Sequence, residues 1–164
     1  MSISTTEKLR IYRGVLIRLN ALLNGEIHEV SALATIACEL YQSFRGFDWC
    51  GFYRVTSPQL MTVGPFQGGH GCLHITFDRG ICGAAACSAR TQLVADVNTL
   101  DDYITCSTTT ESEIAVPVFN TSQQVVAVMN IDSKIAHYFT AVDQEQLEII
   151  CGLLHRFYPH QLAF

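Results

Sequence analysis

Apolar residues recur every three or four positions near the start of the chain and again near its end, while its middle carries short β-branched and aromatic runs. Tyr12, Val15, Leu16, Leu19, Leu22 and Leu23 share one side of a helical wheel, which predicts an amphipathic helix closing near Asn24 and Gly25. Ser4 and Glu7 ahead of it have capping-box spacing. Val30, Leu33, Ile36, Ala37, Leu40, Tyr41 and Phe44 predict a second helix, stopped near Gly46. Residues 48–55, 59–63, 73–77, 92–95, 113–119 and 125–131 then read as strands, separated by Gly, Pro, Asn, Asp and Ser. Asn120-Thr121-Ser122-Gln123 between the last two is a hairpin loop. Gly80-Ile81-Cys82-Gly83 is a glycine turn opening a brief helix over residues 84–89. A closing helix starts at Thr140, with Asp143 in its first turn where acids suit the helix dipole. It carries Leu147, Ile150, Leu153, Leu154 and Phe157 and is ended by Pro159. With no repeat and no linker, the expectation is one α+β domain over residues 1–164, its mostly antiparallel sheet covered by helices.

Composition narrows the function. Of 164 residues, 49% are hydrophobic and 15% charged, too apolar a balance for a disordered chain. The net charge of −5 with scattered basic residues argues against a reader of phosphate backbones, so no nucleic-acid partner is expected. No apolar run approaches the roughly 18 residues of a membrane span. The polar opening MSISTTEKLR lacks a signal core, so a cytoplasmic location is expected. Seven cysteines, an odd number, fit reduced thiols rather than a disulfide scaffold. Cys38 and Cys151 sit in apolar helical patterns, Cys50 in a strand and Cys87 in the Ala-rich stretch, and all four read as buried packing. Cys72, Cys82 and Cys106 stand beside glycine or in polar turns, where a thiol stays reachable.

Two chemistries compete for these thiols. His70, Cys72 and His74 alternate as strand-borne zinc ligands would, with Cys82 as a fourth donor. Glycines at 68, 69 and 71 make that stretch a loop, where alternation fails. The other chemistry is redox: Cys106 as nucleophile, Cys72 or Cys82 as partner, and Glu111, Glu113 and Asp132 nearby. A thiolate attacking an oxidised centre becomes a sulfenic acid, which a second thiol closes to a disulfide. Trp49, Phe52 and Tyr53 are by themselves ordinary residues of a half-buried strand.

Longer words tip the balance. Trp49-Cys50-Gly51-Phe52-Tyr53, Gly64-Pro65-Phe66-Gln67-Gly68 followed by Cys72, Gly80-Ile81-Cys82-Gly83, Asp96-Val97, Ile104-Thr105-Cys106, Ser112-Glu113-Ile114 with Pro117, and Ile131-Asp132-Ser133 occur in order. In this order and spacing the chain resembles the free methionine-(R)-sulfoxide reductases, single-domain GAF proteins. The resemblance implies a GAF-like central antiparallel sheet with N-terminal helices and a C-terminal helix on one face. It also implies reduction of free L-methionine (R)-sulfoxide without a cofactor, with thioredoxin returning the electrons to a homodimer packed through terminal helices. Cys106 would attack, Cys72 would resolve and Cys82 would assist. Trp49 and Tyr53 would wall the methyl-sulfur end of the substrate. Glu113, Asn130 and Asp132 would meet its polar groups.

The chain departs from the family at Asn130, where an acid is usual, and at Tyr103, Ser107 and Gly69-His70-Gly71. Asn130 lacks a formal charge, and a charge-assisted hydrogen bond is about twice as strong as a neutral one, so a shifted substrate preference or weaker methionine sulfoxide binding is expected. A GAF ligand sensor without catalysis, or a zinc-stabilised structural protein, are the competing readings. GAF sensors usually sit in longer chains with output domains, and none is expected beyond residue 164, so the enzyme is the expected reading.

Overall fold

Period-two patterning over residues 49–57 and 125–133 sends neighbouring side chains to opposite faces, and both faces are buried. The computed structural model describes residues 3–26, 28–100 and 108–158. The chain runs α1 (Thr5–Leu22), α2 (Glu29–Ser43), β1 (Trp49–Ser57), β2 (Leu60–Gly68), β3 (His74–Thr76), α3 (Gly80–Ser88), β4 (Gln92–Val94), β5 (Ser112–Phe119), β6 (Val125–Ser133) and α4 (Ala141–Gly152). One six-stranded sheet has the order β3-β2-β1-β6-β5-β4, with every pair antiparallel. α1, α2 and α4 cover one face around Tyr12, Leu33, Leu40, Phe52, Ile114 and Ile131. α3 packs on the other, against β5 and β6, beside Trp49, Tyr53, Cys82 and Ala115. This is the α+β sandwich that the pattern implies.

Boundaries differ where long-range contacts decide them. Ser4 Oγ accepts the Glu7 N–H at 3.2 Å, but the Glu7 carboxylate pairs with Arg10, so half of the expected capping box forms. At α4 the Asp143 carboxylate accepts the Thr140 N–H at 2.7 Å, and it also takes Lys8 Nζ at 2.5 Å and the Tyr12 hydroxyl at 2.9 Å. This buried charge pair ties α1 to α4; removing either partner would leave an uncompensated charge in the core. α4 ends at Gly152, short of the expected limit, and Pro159 lies outside the described residues. Leu22 and Val30, assigned to apolar faces by spacing, are exposed.

β2 runs five residues past its expected end. Gly64 and Pro65 together oppose Phe52, a bulge that spares the sheet a ladder bond proline cannot make. α3 starts at Gly80 rather than at Ala84, which turns Ile81, Cys82, Ala85 and Ala86 inward. Cys87, five residues and about 500° of helix beyond Cys82, therefore faces solvent and is not the packing residue expected.

Candidate active site

Residues directly opposite in an antiparallel ladder share a face, so the register assembles the site. Trp49 on β1 pairs with Asp132 on β6, Asp132 with Glu113 on β5, and Glu113 with Val94 on β4. One step along, Gly51 pairs with Asn130 and Asn130 with Ala115. Tyr53 follows two residues after Gly51. These side chains all lie on the α3 side of the sheet. Trp49, Tyr53, Glu113, Asn130 and Asp132, separated by up to 83 positions in the chain, are thus brought together, and each is at least nine-tenths buried.

Aromatic rings form one wall. Trp49 stacks between Tyr53, with centroids 5.7 Å apart, and Phe66, at 5.4 Å. The absence of a side chain at Gly51 makes this possible: a Cβ there would stand 2.3 Å from Phe66 Cβ and 2.7 Å from Trp49 Cη2. Phe66 carries no strand signal in the sequence because the bulge at Gly64 and Pro65 interrupts the period-two pattern; β2 continues through that bulge and brings Phe66 to Trp49.

The polar wall is unusual for its burial. Acids at strand ends are more often solvated, yet Glu113 and Asp132 are 6% and 7% exposed. Burial pushes the Asp132 carboxyl up to about 7, against hydrogen bonds that favour its charged form, and the negative charge of Asp48 adds to the rise. Those bonds come from Asn130 Nδ2 to Oδ1 at 2.9 Å and, long at 3.5 Å, from the Thr110 hydroxyl to Oδ2. Thr110 and Asp48 had no sequence signal of their own. Among the described residues, Asn130 Oδ1 and Trp49 Nε1 are buried without a protein partner, one acceptor and one donor. An arrangement of aromatic rings beside a carboxylic acid that titrates near neutrality can hold a small polar molecule and give it a proton.

The cysteines sort differently from their sequence reading. Cys82 is 3% exposed on the inner side of α3, not reachable as expected; burial pushes its thiol well up, helped by the charges of Glu113 and Asp132. Cys72 is half-buried and disulfide-bonded, whereas Cys38, Cys50, Cys82, Cys87 and Cys151 are free. Cys50 and Cys151 are packing residues, and Cys38 is half-buried with Gln42 Nε2 on its sulfur. Cys106, Tyr103 and Ser107 lie outside the described residues. Among the described residues no group of three His, Cys, Asp or Glu side chains converges to hold a metal, and His74 meets Thr62 instead.

The family described as GAF domain matches residues 28–156. The free methionine-R-sulfoxide reductase of Escherichia coli is 34% identical over 137 residues, 84% of this chain and 82% of that protein. The protein of the same name from Saccharomyces cerevisiae is 31% identical over 159 residues, 93% of this chain and 88% of its own. Among solved structures, free methionine-R-sulfoxide reductase from Neisseria meningitidis in complex with its substrate superposes with a TM-score of 0.88 at 34% identity, covering 96% of this chain and 94% of that one.

Proposed function

Because this chain belongs to the GAF domain family, and within it to the free methionine-R-sulfoxide reductases, we propose that it reduces the (R)-sulfoxide of free L-methionine to L-methionine at the Trp49–Asp132–Glu113 row. The observation that carries the reading is the buried Asp132 carboxyl, which keeps its proton up to about pH 7 beside stacked aromatic rings. A sulfoxide oxygen leaves sulfur only once protonated, and a neutral acid supplies that proton.

The Cys106 thiolate attacks the sulfur of the sulfoxide while the acid protonates its oxygen. The oxygen passes to the Cys106 sulfur, leaving methionine and a sulfenic acid. The Cys72 thiol then displaces that oxygen: an S–O bond breaks, an S–S bond forms and water departs. That Cys72 is disulfide-bonded supports its role as a redox-active thiol. Thioredoxin, an external dithiol, reopens the disulfide by exchange, forming its own disulfide. Trp49 and Tyr53 flank the methyl-sulfur end; Glu113, Asn130 and Asp132 take the polar groups. Cys82, buried with its thiol pushed up, serves only as an auxiliary thiol. An NADPH-coupled thioredoxin assay offering (R) and (S) forms of free and peptide-linked methionine sulfoxide tests this. Turnover of the free (R) form alone is expected; saturable binding without turnover would make the domain a ligand sensor.

Asn130 carries the specificity prediction. Its Oδ1 already awaits a donor, and the substrate ammonium is one. Asn130→Asp is expected to raise kcat/KM for the free amino acid sulfoxide about five- to ten-fold, since a charged acceptor strengthens that bond. No gain in steady-state kinetics removes the charge argument.

Within the same proposal the whole chain, residues 1–164, acts as one cytoplasmic unit that pairs with itself. Leu9, Ile17 and Leu22 on α1 and Ile149 on α4 are exposed apolar side chains on the terminal helices, some of which a second copy would cover. Light scattering is expected to give twice the 18.2 kDa chain mass; a monomer at micromolar concentration would end that part.

A further inference from the structure

Asn130 and Asp132 stand two residues apart on β6, so both side chains leave the same face of the sheet. The cross-strand neighbours of Asn130 are Gly51 on β1 and Ala115 on β5, neither of which has a polar side-chain atom. The amide instead turns along its own strand, and Nδ2 donates to Asp132 Oδ1 at 2.9 Å. Both residues are buried, at 5% and 7% exposed, and Asn130 Oδ1 is left without a protein partner. The other hydrogen bond to the Asp132 carboxyl, from the Thr110 hydroxyl, is long at 3.5 Å. The titratable groups facing that carboxyl are Glu113 on β5, Tyr53 on β1, Cys82 on α3 and Asp48 ahead of β1. None of the four is a cation, and the exposed Lys134 pairs with Asp48 at 3.2 Å instead. A buried carboxylate in such surroundings depends on hydrogen-bond donors to hold its charge, and the Asn130 amide is the closer of its two.

We infer that Asn130 is a positioning residue for Asp132: its amide holds the carboxyl in the cross-strand row and sets the highest pH at which that carboxyl keeps its proton. This deepens, and rests on, the reductase reading above, in which Asp132 gives a proton to the sulfoxide oxygen. An amide donates to a carboxylate and never ionises itself. Asp132 therefore titrates alone and releases its proton at a lower pH than it would without that donor. An acid at position 130 could only accept, and two buried carboxylates two residues apart would share one proton up to a higher pH. Asn130 thus confines the proton-donating form to acid and neutral solution. The two ends of the amide act separately, Nδ2 on Asp132 and Oδ1 on the donor that a ligand brings.

The test reads the carboxyl directly. The ligand-free chain, with isotope-labelled aspartate carboxyl groups, is titrated by NMR, and the resonance lost in Asp132→Asn identifies Asp132. Without ligand, only the Nδ2 end of the amide is under test. The midpoint is expected at about 7 in the unsubstituted chain. In Asn130→Leu, close in volume and lacking the donor, it should rise by about one pH unit, or about ten-fold in proton affinity. In Asn130→Asp it should rise further, as a value that belongs to the pair; this near-isosteric variant decides the matter alone if the apolar one does not fold. A midpoint unmoved in both variants, or lowered in either, would overturn the inference. The alkaline limb of kcat/KM for free methionine (R)-sulfoxide should shift together with the midpoint. A midpoint that moves while the limb stays fixed upholds the role of Asn130 and removes Asp132 as the proton donor. If the midpoint moves and no methionine forms at any pH, it is the reductase reading that fails.

Discussion

Cys106→Ser is expected to lower turnover of free methionine (R)-sulfoxide by roughly three orders of magnitude or more, which corresponds to about 4 kcal/mol of transition-state stabilisation. A serine hydroxyl stays protonated at working pH and is a far weaker nucleophile toward sulfur than a thiolate. Cys72→Ser should behave in another way. It leaves the attack on the sulfoxide in place, so a single burst of about one methionine per chain is expected, followed by a stall at the sulfenic acid. The thioredoxin-coupled assay reads the first effect and rapid quench the second. Cys106→Ser protein that keeps more than a tenth of wild-type turnover would exclude Cys106 as the attacking group. Five of the other six cysteines are free thiols, and Cys50, Cys82 and Cys151 among them are buried.

The second large effect belongs to Asp132. Asp132→Asn preserves shape and hydrogen-bonding capacity but has no proton to give, so kcat/KM is expected to fall by two to four orders of magnitude. In the unsubstituted enzyme the protonated form works, and activity should decline as pH rises through about 7. That limb should vanish in the variant. Stability falls with rising pH as well. An aspartate titrates from 3.8 in the unfolded chain to about 7 here, so the folded state holds the extra proton between those values. The stabilisation is complete below 3.8 and is lost as pH rises toward 7, on the order of 2–4 kcal/mol across the window. Asp132→Asn should therefore be more stable than the parent at pH 8, with the gap closing by pH 4. Urea unfolding at pH 4, 6 and 8 checks this; a gap that does not change with pH would show that Asp132 ionises freely.

Much of this was legible in the chain. Among the described residues, periodic patterns located α1, α2, α4 and the six strands, and an Ala-rich stretch located α3, because burial of one face is a local demand on consecutive residues. The short 3-10 turns at Val97–Thr99 and His155–Phe157 had no such pattern. Val30 and Leu22 broke that rule, as spacing marks an apolar face and cannot say whether a neighbour covers it. β2 hid its second half behind Pro65, since a bulge is agreed between two strands and neither carries its mark alone. Cys82 and Cys87 exchanged fates for a similar reason: starting the helix at Gly80 instead of Ala84 set which of the two sulfurs met the sheet.

By itself, then, the order of residues determined the elements, the supply of thiols and the family words in which Cys72, Cys82 and Cys106 recur. Only the tertiary structure placed Trp49, Asp132 and Glu113 in one cross-strand row and the Tyr53 hydroxyl against the backbone of Gly71. The physical reason is that a side chain's type belongs to its position in the chain. Its neighbours, its burial and hence the pH at which it holds a proton belong to strand register and to what packs above it.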